Sequence, residues 1–219
     1  MRIISGTKKG MNILPPKGSD TRPVTDRVKE SIFDVLYKYN LIEGRFVGDL
    51  FCGTGSFGLE ALSRGAKEAV FVDSDRRAIE ILRNNIAKTG FVSQSKVVCA
   101  NAFKIGSPIG VGRKCSLVFV DPPYKMSEDA GKKSPLAGLL ELLPLQITDD
   151  GLVIVRTEKR VNLLDRYGSL KIIDKRIWSG MAVVFFEKTR TDTDENTDKH
   201  RKIKDDEQTG SNTDNSQSS

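Results

Sequence analysis

Histidine is almost missing from this chain of 219 residues: the single copy, His200, lies in the C-terminal stretch Thr189–Ser219, which is polar and charged. The first 188 residues therefore hold no imidazole. That excludes Ser-His-Asp and Cys-His nucleophile pairs, histidine general bases and histidine-ligated zinc from the folded part. Cysteine is scarce as well: Cys52, Cys99 and Cys115 are odd in number and form no CxxC pair, so neither a disulfide framework nor a zinc cluster is expected, and no metal is assigned. No run approaches the ~18 apolar residues of a membrane span, and the start MRIISGTKKG passes quickly into charge. Neither a span nor a signal peptide is expected, which reads as a cytoplasmic protein.

What the chain does have is unevenly placed charge. Thr189–Ser219 carries five basic and eight acidic residues, a net of −3, and lacks the apolar residues needed to offset its ordering entropy; a disordered tail is expected there. The body, Met1–Lys188, has 30 basic and 21 acidic residues, or +9. That balance favours a polyanionic partner through counterion release.

Residues 1–24 are basic and broken by Pro15, Pro16 and Pro23, with two short apolar pairs, Ile3-Ile4 and Ile13-Leu14, around GTKKG; this reads as an arm or hairpin. Thr25 is placed to cap a helix carrying Val28, Ile32, Phe33, Leu36 and Tyr39 at helical spacing. From Gly44 to Lys188 short apolar runs alternate with helical patterns: RFVGDLF, a helix near 56–63, EAVFVD, a helix near 76–88, KVVCAN, SLVFVD, a helix near 135–143, GLVIVR, then two closing strands near 170–178 and 181–188. Strands alternating with helices imply βαβ units, hence an α/β fold whose parallel sheet is covered on both faces. The closing pair, parted by Ser179-Gly180, reads as a hairpin that brings the last strand in antiparallel. The expected architecture is a seven-stranded doubly wound sheet of order 3-2-1-4-5-7-6. Three segments follow: the arm 1–24, the α/β domain 25–188 and the tail 189–219.

Two loops of that sheet carry chemistry. The first, DLFCGTGSFG (49–58), follows the first core strand, and Gly53, Gly55 and Gly58 satisfy GxGxxG. Such a loop lets a ligand approach the backbone beside a helix N-terminus, and Asp73, at the end of the next strand, can take a ribose diol. A nicotinamide dinucleotide would use the same parts. Asp49, four residues before the first glycine, separates the two readings: a carboxylate there repels a pyrophosphate but suits an ammonium or sulfonium, which favours S-adenosylmethionine. Asn101-Ala102, after the third strand, stand where an adenine edge could be read, or where a loop asparagine would serve equally.

The second loop ends LVFVDPPYK (117–125). Strands 1 and 4 are neighbours at the topological switch point, so this loop and the glycine loop border one crevice. An exocyclic amino group on a base is a poor nucleophile because its lone pair is delocalised into the ring. Asp121 and the Pro122 carbonyl can accept its two N–H bonds and draw the nitrogen toward tetrahedral geometry. Pro122 restricts Asp121 to an extended conformation, and neither Pro122 nor Pro123 offers an N–H to compete for the acceptors. Tyr124 can stack on a base taken out of its helix, worth about 1–3 kcal/mol against an extrusion cost of a few kcal/mol.

DPPY with DLFCGTG resembles the amino-methyltransferases of nucleic acids. MRIISGTKKGMNIL, RPVTDRVKESIFDVL and GLEALSRGA resemble, over residues 1 to about 188, the bacterial 16S rRNA (guanine(966)-N(2))-methyltransferase family, the small-subunit rRNA methyltransferase D family. The resemblance implies a Rossmann-like class I S-adenosylmethionine-dependent domain preceded by a small β-hairpin. It also implies methylation of a guanine N2 in 16S rRNA or a small-subunit assembly particle, with S-adenosylhomocysteine as coproduct; a monomer is the default expectation. Asp49, Phe51, Gly53 and Gly55 match its donor loop, and Asp121, Pro122, Pro123 and Tyr124 its acceptor motif. Asp73 stands where relatives usually have glutamate, which shortens its reach to the ribose. Lys8 and Lys9 stand where relatives commonly have arginines, keeping the charge but losing the bidentate fork. Arg22, Thr25 and Arg27 match the RPT-DR signature at the crevice rim, where Arg22 is a candidate phosphate or donor contact and Arg27 an RNA contact, with capping and a surface ion pair as the alternatives. The acidic tail has no counterpart in the family pattern. Three rivals remain: an adenine-N6 methyltransferase on DNA or RNA, an NAD-linked oxidoreductase, and a noncatalytic RNA-binding module.

Overall fold

A computed structural model describes residues 1–15, 24–178 and 180–189; Arg22, the turn residue Ser179, and the tail from residue 190 with His200 lie outside the described residues. Met1–Lys188 form one compact unit. Helix α1 (Asp26–Tyr37) leads into β1 (Phe46–Leu50), α2 (Ser56–Ser63), β2 (Glu68–Asp73), α3 (Arg76–Thr89), β3 (Ser95–Cys99), the single turn α4 (Ala102–Ile105) and β4 (Cys115–Val120). Then come the short α5 (Tyr124–Ser127), α6 (Pro135–Leu142), β5 (Ile147–Glu158), β6 (Arg166–Tyr167), β7 (Leu170–Trp178) and β8 (Met181–Lys188).

The strands form one sheet of order β3-β2-β1-β4-β5-β8-β7-β6. β1 to β5 are parallel neighbours, β8 enters antiparallel beside β5, and β7 pairs antiparallel with β8. This is the expected sheet with one strand added at its edge. The addition, β6, is a two-residue pairing of Arg166 and Tyr167 with Lys171 and Leu170, too short to leave a period in the sequence. β5 also begins earlier than its apolar run, because Thr148, Asp149 and Asp150 hide the strand's start behind polar residues.

The helices begin where their caps dictate. Thr25 Oγ1 accepts from Val28 N, Asp75 Oδ1 from Arg77 N, and Ser134 Oγ from Ala137 N with Pro135 in the first turn. Both faces of the parallel strands are covered, so they read as unbroken apolar runs. Val47, Phe71, Leu117 and Phe119 pack under α1, α2 and α3 through Ile32, Phe33, Leu59, Leu62, Leu82 and Ile86. Leu50, Val70, Val72, Val118 and Val120 pack against Ala102 of α4 and Leu136, Leu139 and Leu140 of α6.

The opening segment doubles back on itself, as a hairpin should: Ile3 N donates to Met11 O, Gly10 N to Ile3 O and Ile13 N to Met1 O, with a bridge between Arg2 and Asn12. It is held against the body. Ile3 and Ile13 are buried in the main core. Ile4 N and Ser5 N donate to the buried Glu60 of α2 at 2.7 and 3.0 Å, and Leu14 N donates to Asn85 Oδ1 of α3 at 2.7 Å. The Asn85 amide donates in turn to Leu14 O and to Thr54 O of the glycine loop, tying the segment to that loop.

Candidate active site

A cavity of about 470 Å³ opens at the C-terminal edge of β1, β2, β4 and β5, and its walls include Asp49, Phe51, Gly53, Asp73, Asp121, Pro122, Pro123, Tyr124 and Arg156. Glycine loop and DPPY loop therefore face one space. A larger, more open depression of about 720 Å³ at the opposite edge, bounded by Arg45, Phe46, Arg113 and Lys114, has no carboxylate in its walls.

The loop after β1 is shaped by its own carboxylates. Asp49 is buried, and its Oδ2 accepts from Gly58 N at 2.8 Å, pulling the start of α2 back over the strand end. Asp73 accepts from Gly53 N through Oδ2 at 2.8 Å and from Asp75 N through Oδ1 at 2.9 Å, so it clasps two turns together. Phe51 takes the left-handed region at φ +56 with its ring against Phe103, centroids 4.7 Å apart. Gly53 is at φ +52, and a Cβ there would meet nothing within 4 Å: it borders open cavity. Gly55 has a different reason to be glycine. At φ +89 it caps α2, and a Cβ would stand 2.4 Å from Leu82 Cδ1. It is not among the cavity walls.

Across the cavity, Asp121 follows β4. Its Oδ1 accepts from Arg156 Nε at 2.5 Å, and the two side chains are 16% and 12% exposed. Oδ2 has no hydrogen-bond partner among the described residues. Burial pushes the Asp121 carboxyl up from the usual carboxylate range, and the Arg156 charge and hydrogen bond pull it back. Asp49 is driven well above that range by burial, with the charges of Asp121 and Asp73 adding to the rise and the Gly58 N–H opposing it. Pro122 is buried, Pro123 exposed, and Tyr124, at the start of α5, half-buried. Four carboxylates, Asp49, Asp73, Asp75 and Asp121, against one guanidinium leave the cavity negative, a setting for a ligand that carries positive charge and has no phosphate.

Other expected residues lie elsewhere. Asn101 and Ala102 do not line the cavity; Asn101 Oδ1 caps α4 by accepting from Phe103 N, and Ala102 is buried. Lys8 sits with its backbone N–H on Ser63 Oγ and its ammonium 5.9 Å from the Phe91 ring centroid, at the far ends of α2 and α3. α2 begins at the cavity with Ser56, so Ser63 is about 10 Å along its axis. Lys9 is exposed beside it. Arg27 is exposed in the first turn of α1, three residues from Val24 on the cavity wall, while Arg22 is outside the described residues. The residue the sequence reading passed over is Arg156, whose signal was an arginine closing the apolar strand GLVIVR.

A doubly wound sheet of this order is the class I methyltransferase fold. Residues 1–187 match the family described as Conserved hypothetical protein 95, and the chain belongs to that family. The family resemblance in the sequence is borne out. The chain is 34% identical over 192 residues to Bacillus subtilis YlbH, provisionally named an rRNA methyltransferase, covering 86% of this chain and 99% of that protein. It is 36% identical over 125 residues to the Escherichia coli K12 ribosomal RNA small subunit methyltransferase D, a match spanning 57% of this chain and 61% of the relative. The solved structure of Escherichia coli yhhF superposes with a TM-score of 0.72 at 29% identity, over 87% of this chain and 99% of that one.

Proposed function

We propose that the protein transfers a methyl group from S-adenosylmethionine to the exocyclic N2 amine of a guanine in 16S rRNA. The observation that carries the reading is the single cavity where the Asp49–Gly53 loop and Asp121–Tyr124 meet, with carboxylates outnumbering cations. Relatives named for small-subunit rRNA and a body of net charge +9 support an RNA substrate.

The residues present fit the donor. Gly53 leaves room for a close approach, Asp73 stands at the end of β2 for the ribose, and Asp49 gives the wall the negative charge a sulfonium needs. When bound, S-adenosylmethionine supplies an electrophilic methyl on sulfur and leaves as S-adenosylhomocysteine. Asp121 Oδ2 and the Pro122 carbonyl accept the amine's two N–H bonds, which frees the nitrogen lone pair for the new N–C bond. The methylated nitrogen then gives one proton to Asp121 or to water. Tyr124 stacks on the base and holds it, and the proline turn keeps the acceptors fixed. Lys8, Lys9, Arg22 and Arg27 hold the RNA backbone, the lysines well away from the target base. The working unit is a cytoplasmic monomer built of the segment 1–24, the domain 25–188 and the tail 189–219.

Labelled S-adenosylmethionine is offered with naked rRNA, assembled small subunits and duplex DNA, followed by nucleoside analysis. N2-methylguanine in small-subunit RNA is the expected product; N6-methyladenine alone would end the guanine reading. Tight NAD binding without S-adenosylmethionine binding in calorimetry would end the methyltransferase reading.

A further inference from the structure

We infer that Arg156 is a positioning residue for the transfer, turning the Asp121 carboxylate so that Oδ1 is held by the guanidinium and Oδ2 is kept for the amine. The inference rests on Asp121 being the amine's acceptor, as proposed above.

The sheet puts the two side chains together. β4 and β5 are parallel neighbours with Val120 opposite Val155; β4 ends there, so Asp121 comes to lie beside Arg156, the next residue of β5, which is still paired with Val183 of β8. Their contact is direct, Nε to Oδ1. β1, which carries the donor loop, lies on the other side of β4 from β5. Arg156 therefore reaches the carboxylate from the side away from the donor loop.

Stability of the fold does not account for this pair. Arg156 Nη1 is buried without a hydrogen-bond partner among the described residues. A buried ion pair with an unmet donor is a poor stabiliser beside an apolar pair of the same volume. Function gives it a reason. A carboxylate that must accept an N–H has to be ionised and aimed, and the surroundings of Asp121 oppose ionisation. Asp49 on β1, Asp73 on β2 and Asp75 before α3 are carboxylates in the same cavity wall, and the buried Lys29 of α1 is committed to Glu60, Arg2 O and Ser56. Arg156 is the guanidinium that touches Asp121 directly, and it offsets burial from the β5 side. Without it the carboxyl would take up a proton and present an O–H where the amine needs an acceptor.

The test compares full-length wild type, Arg156→Met, Arg156→Lys and Asp121→Asn across pH 6 to 9 in methyl transfer to small-subunit RNA, with S-adenosylmethionine affinity read by calorimetry. In Arg156→Met the acid limb of kcat/KM moves to higher pH: the loss is about 100-fold near pH 6 and shrinks to about tenfold or less near pH 9. Arg156→Lys keeps the wild-type pH profile, with a loss within about tenfold from poorer aim. Donor affinity stays within about twofold of wild type in both. A uniform loss across pH in Arg156→Met, or a donor affinity weakened more than about tenfold, overturns the inference. If Arg156→Met does not fold, carbon-13 carboxyl NMR of the wild type decides: the Asp121 resonance, assigned by its absence in Asp121→Asn, must be ionised wherever the enzyme is active, and a protonated Asp121 at the pH of full activity overturns it. Full activity in Asp121→Asn would remove the acceptor assignment itself, whereas an inactive Asp121→Asn beside an Arg156→Met of unchanged pH profile removes Arg156 alone.

Discussion

Replacing Glu60 by alanine tests how firmly the opening segment is held to the site. Glu60 is fully buried and accepts from Ile4 N at 2.7 Å, Ser5 N at 3.0 Å and Arg64 Nε at 2.8 Å, with Lys29 Nζ 3.3 Å away. Lys29 is itself 1% exposed and also donates to Arg2 O at 2.7 Å. The alanine leaves a buried ammonium without its carboxylate, which costs about 3–5 kcal/mol, and strips two part-buried N–H groups of their acceptor, at about 1–3 kcal/mol each before relaxation. These costs overlap, and Lys29 can escape its share by losing its proton, because burial already lowers its pKa. A net loss of about 4 kcal/mol is expected, a large part of the ~5–15 kcal/mol that holds a domain together. At about 2–4 °C per kcal/mol for a chain of this size, the melting temperature should fall by about 8–16 °C. Thermal and urea unfolding measure the loss, and hydrogen exchange at Ile3 and Ile13 locates it, since those amides should open below the global transition. The pH dependence follows from the lysine: its folded pKa lies below its unfolded one, so the unfolded chain binds more protons and the deficit should shrink as pH rises toward 10. A loss under about 1 kcal/mol, or unchanged protection of Ile3 and Ile13, would refute the claim that Glu60 anchors the segment.

Asp121→Asn should reduce methyl transfer by about 10²- to 10⁴-fold while leaving RNA affinity within a few fold in filter binding, because the change touches the amine's acceptor and no phosphate contact. Asp49→Asn should raise the melting temperature at neutral pH and weaken S-adenosylmethionine binding in calorimetry. The sign follows from burial: the folded carboxyl titrates above its unfolded value, so its ionisation costs stability; the gain should be absent below about pH 4 and grow as pH rises. The glycines should part company. Gly55→Ala meets Leu82 at an unfavourable φ and should cost about 2–3 kcal/mol in urea unfolding. Gly53→Ala, with open space around it, should cost only about 1–2 kcal/mol yet lower donor affinity more.

The site's strands were legible as unbroken apolar runs and α2 and α3 from their helical spacing, whereas the four-residue helices α4 and α5 were too short to leave a period. EAVFVD and the helix from Ser56 to Ser63 begin and end where apolar run, glycine and cap place them. β6 was not legible, since two residues cannot show an alternation. Within the site the glycine loop and DPPY announced themselves by spacing, but which atoms they engage did not. Asp49 and Asp73 spend hydrogen bonds on Gly58 N, Gly53 N and Asp75 N, a use of carboxylates that only the folded turn reveals. Arg156 lay hidden for a related reason: its partner is 35 residues away, and they meet only because β4 and β5 are in parallel register.

The same carboxylates are what the proposed choice between ligands, left open by the glycines, rests on. A dinucleotide would set a pyrophosphate, with its two negative charges, into a wall that holds Asp49, Asp73, Asp75 and Asp121, where Arg156 is already committed to Asp121. In a partly buried cavity that repulsion is weakly screened, so it costs more than the same charges would at the surface. A sulfonium reverses the sign. Burial above all lifts Asp49, with the neighbouring carboxylates adding to it, and a positive charge beside it would oppose that rise, so binding and ionisation of that carboxyl would favour one another. Under the proposed reading, once the methyl is gone the sulfur is neutral and that mutual support is lost, so the cavity should hold S-adenosylhomocysteine less firmly than the donor.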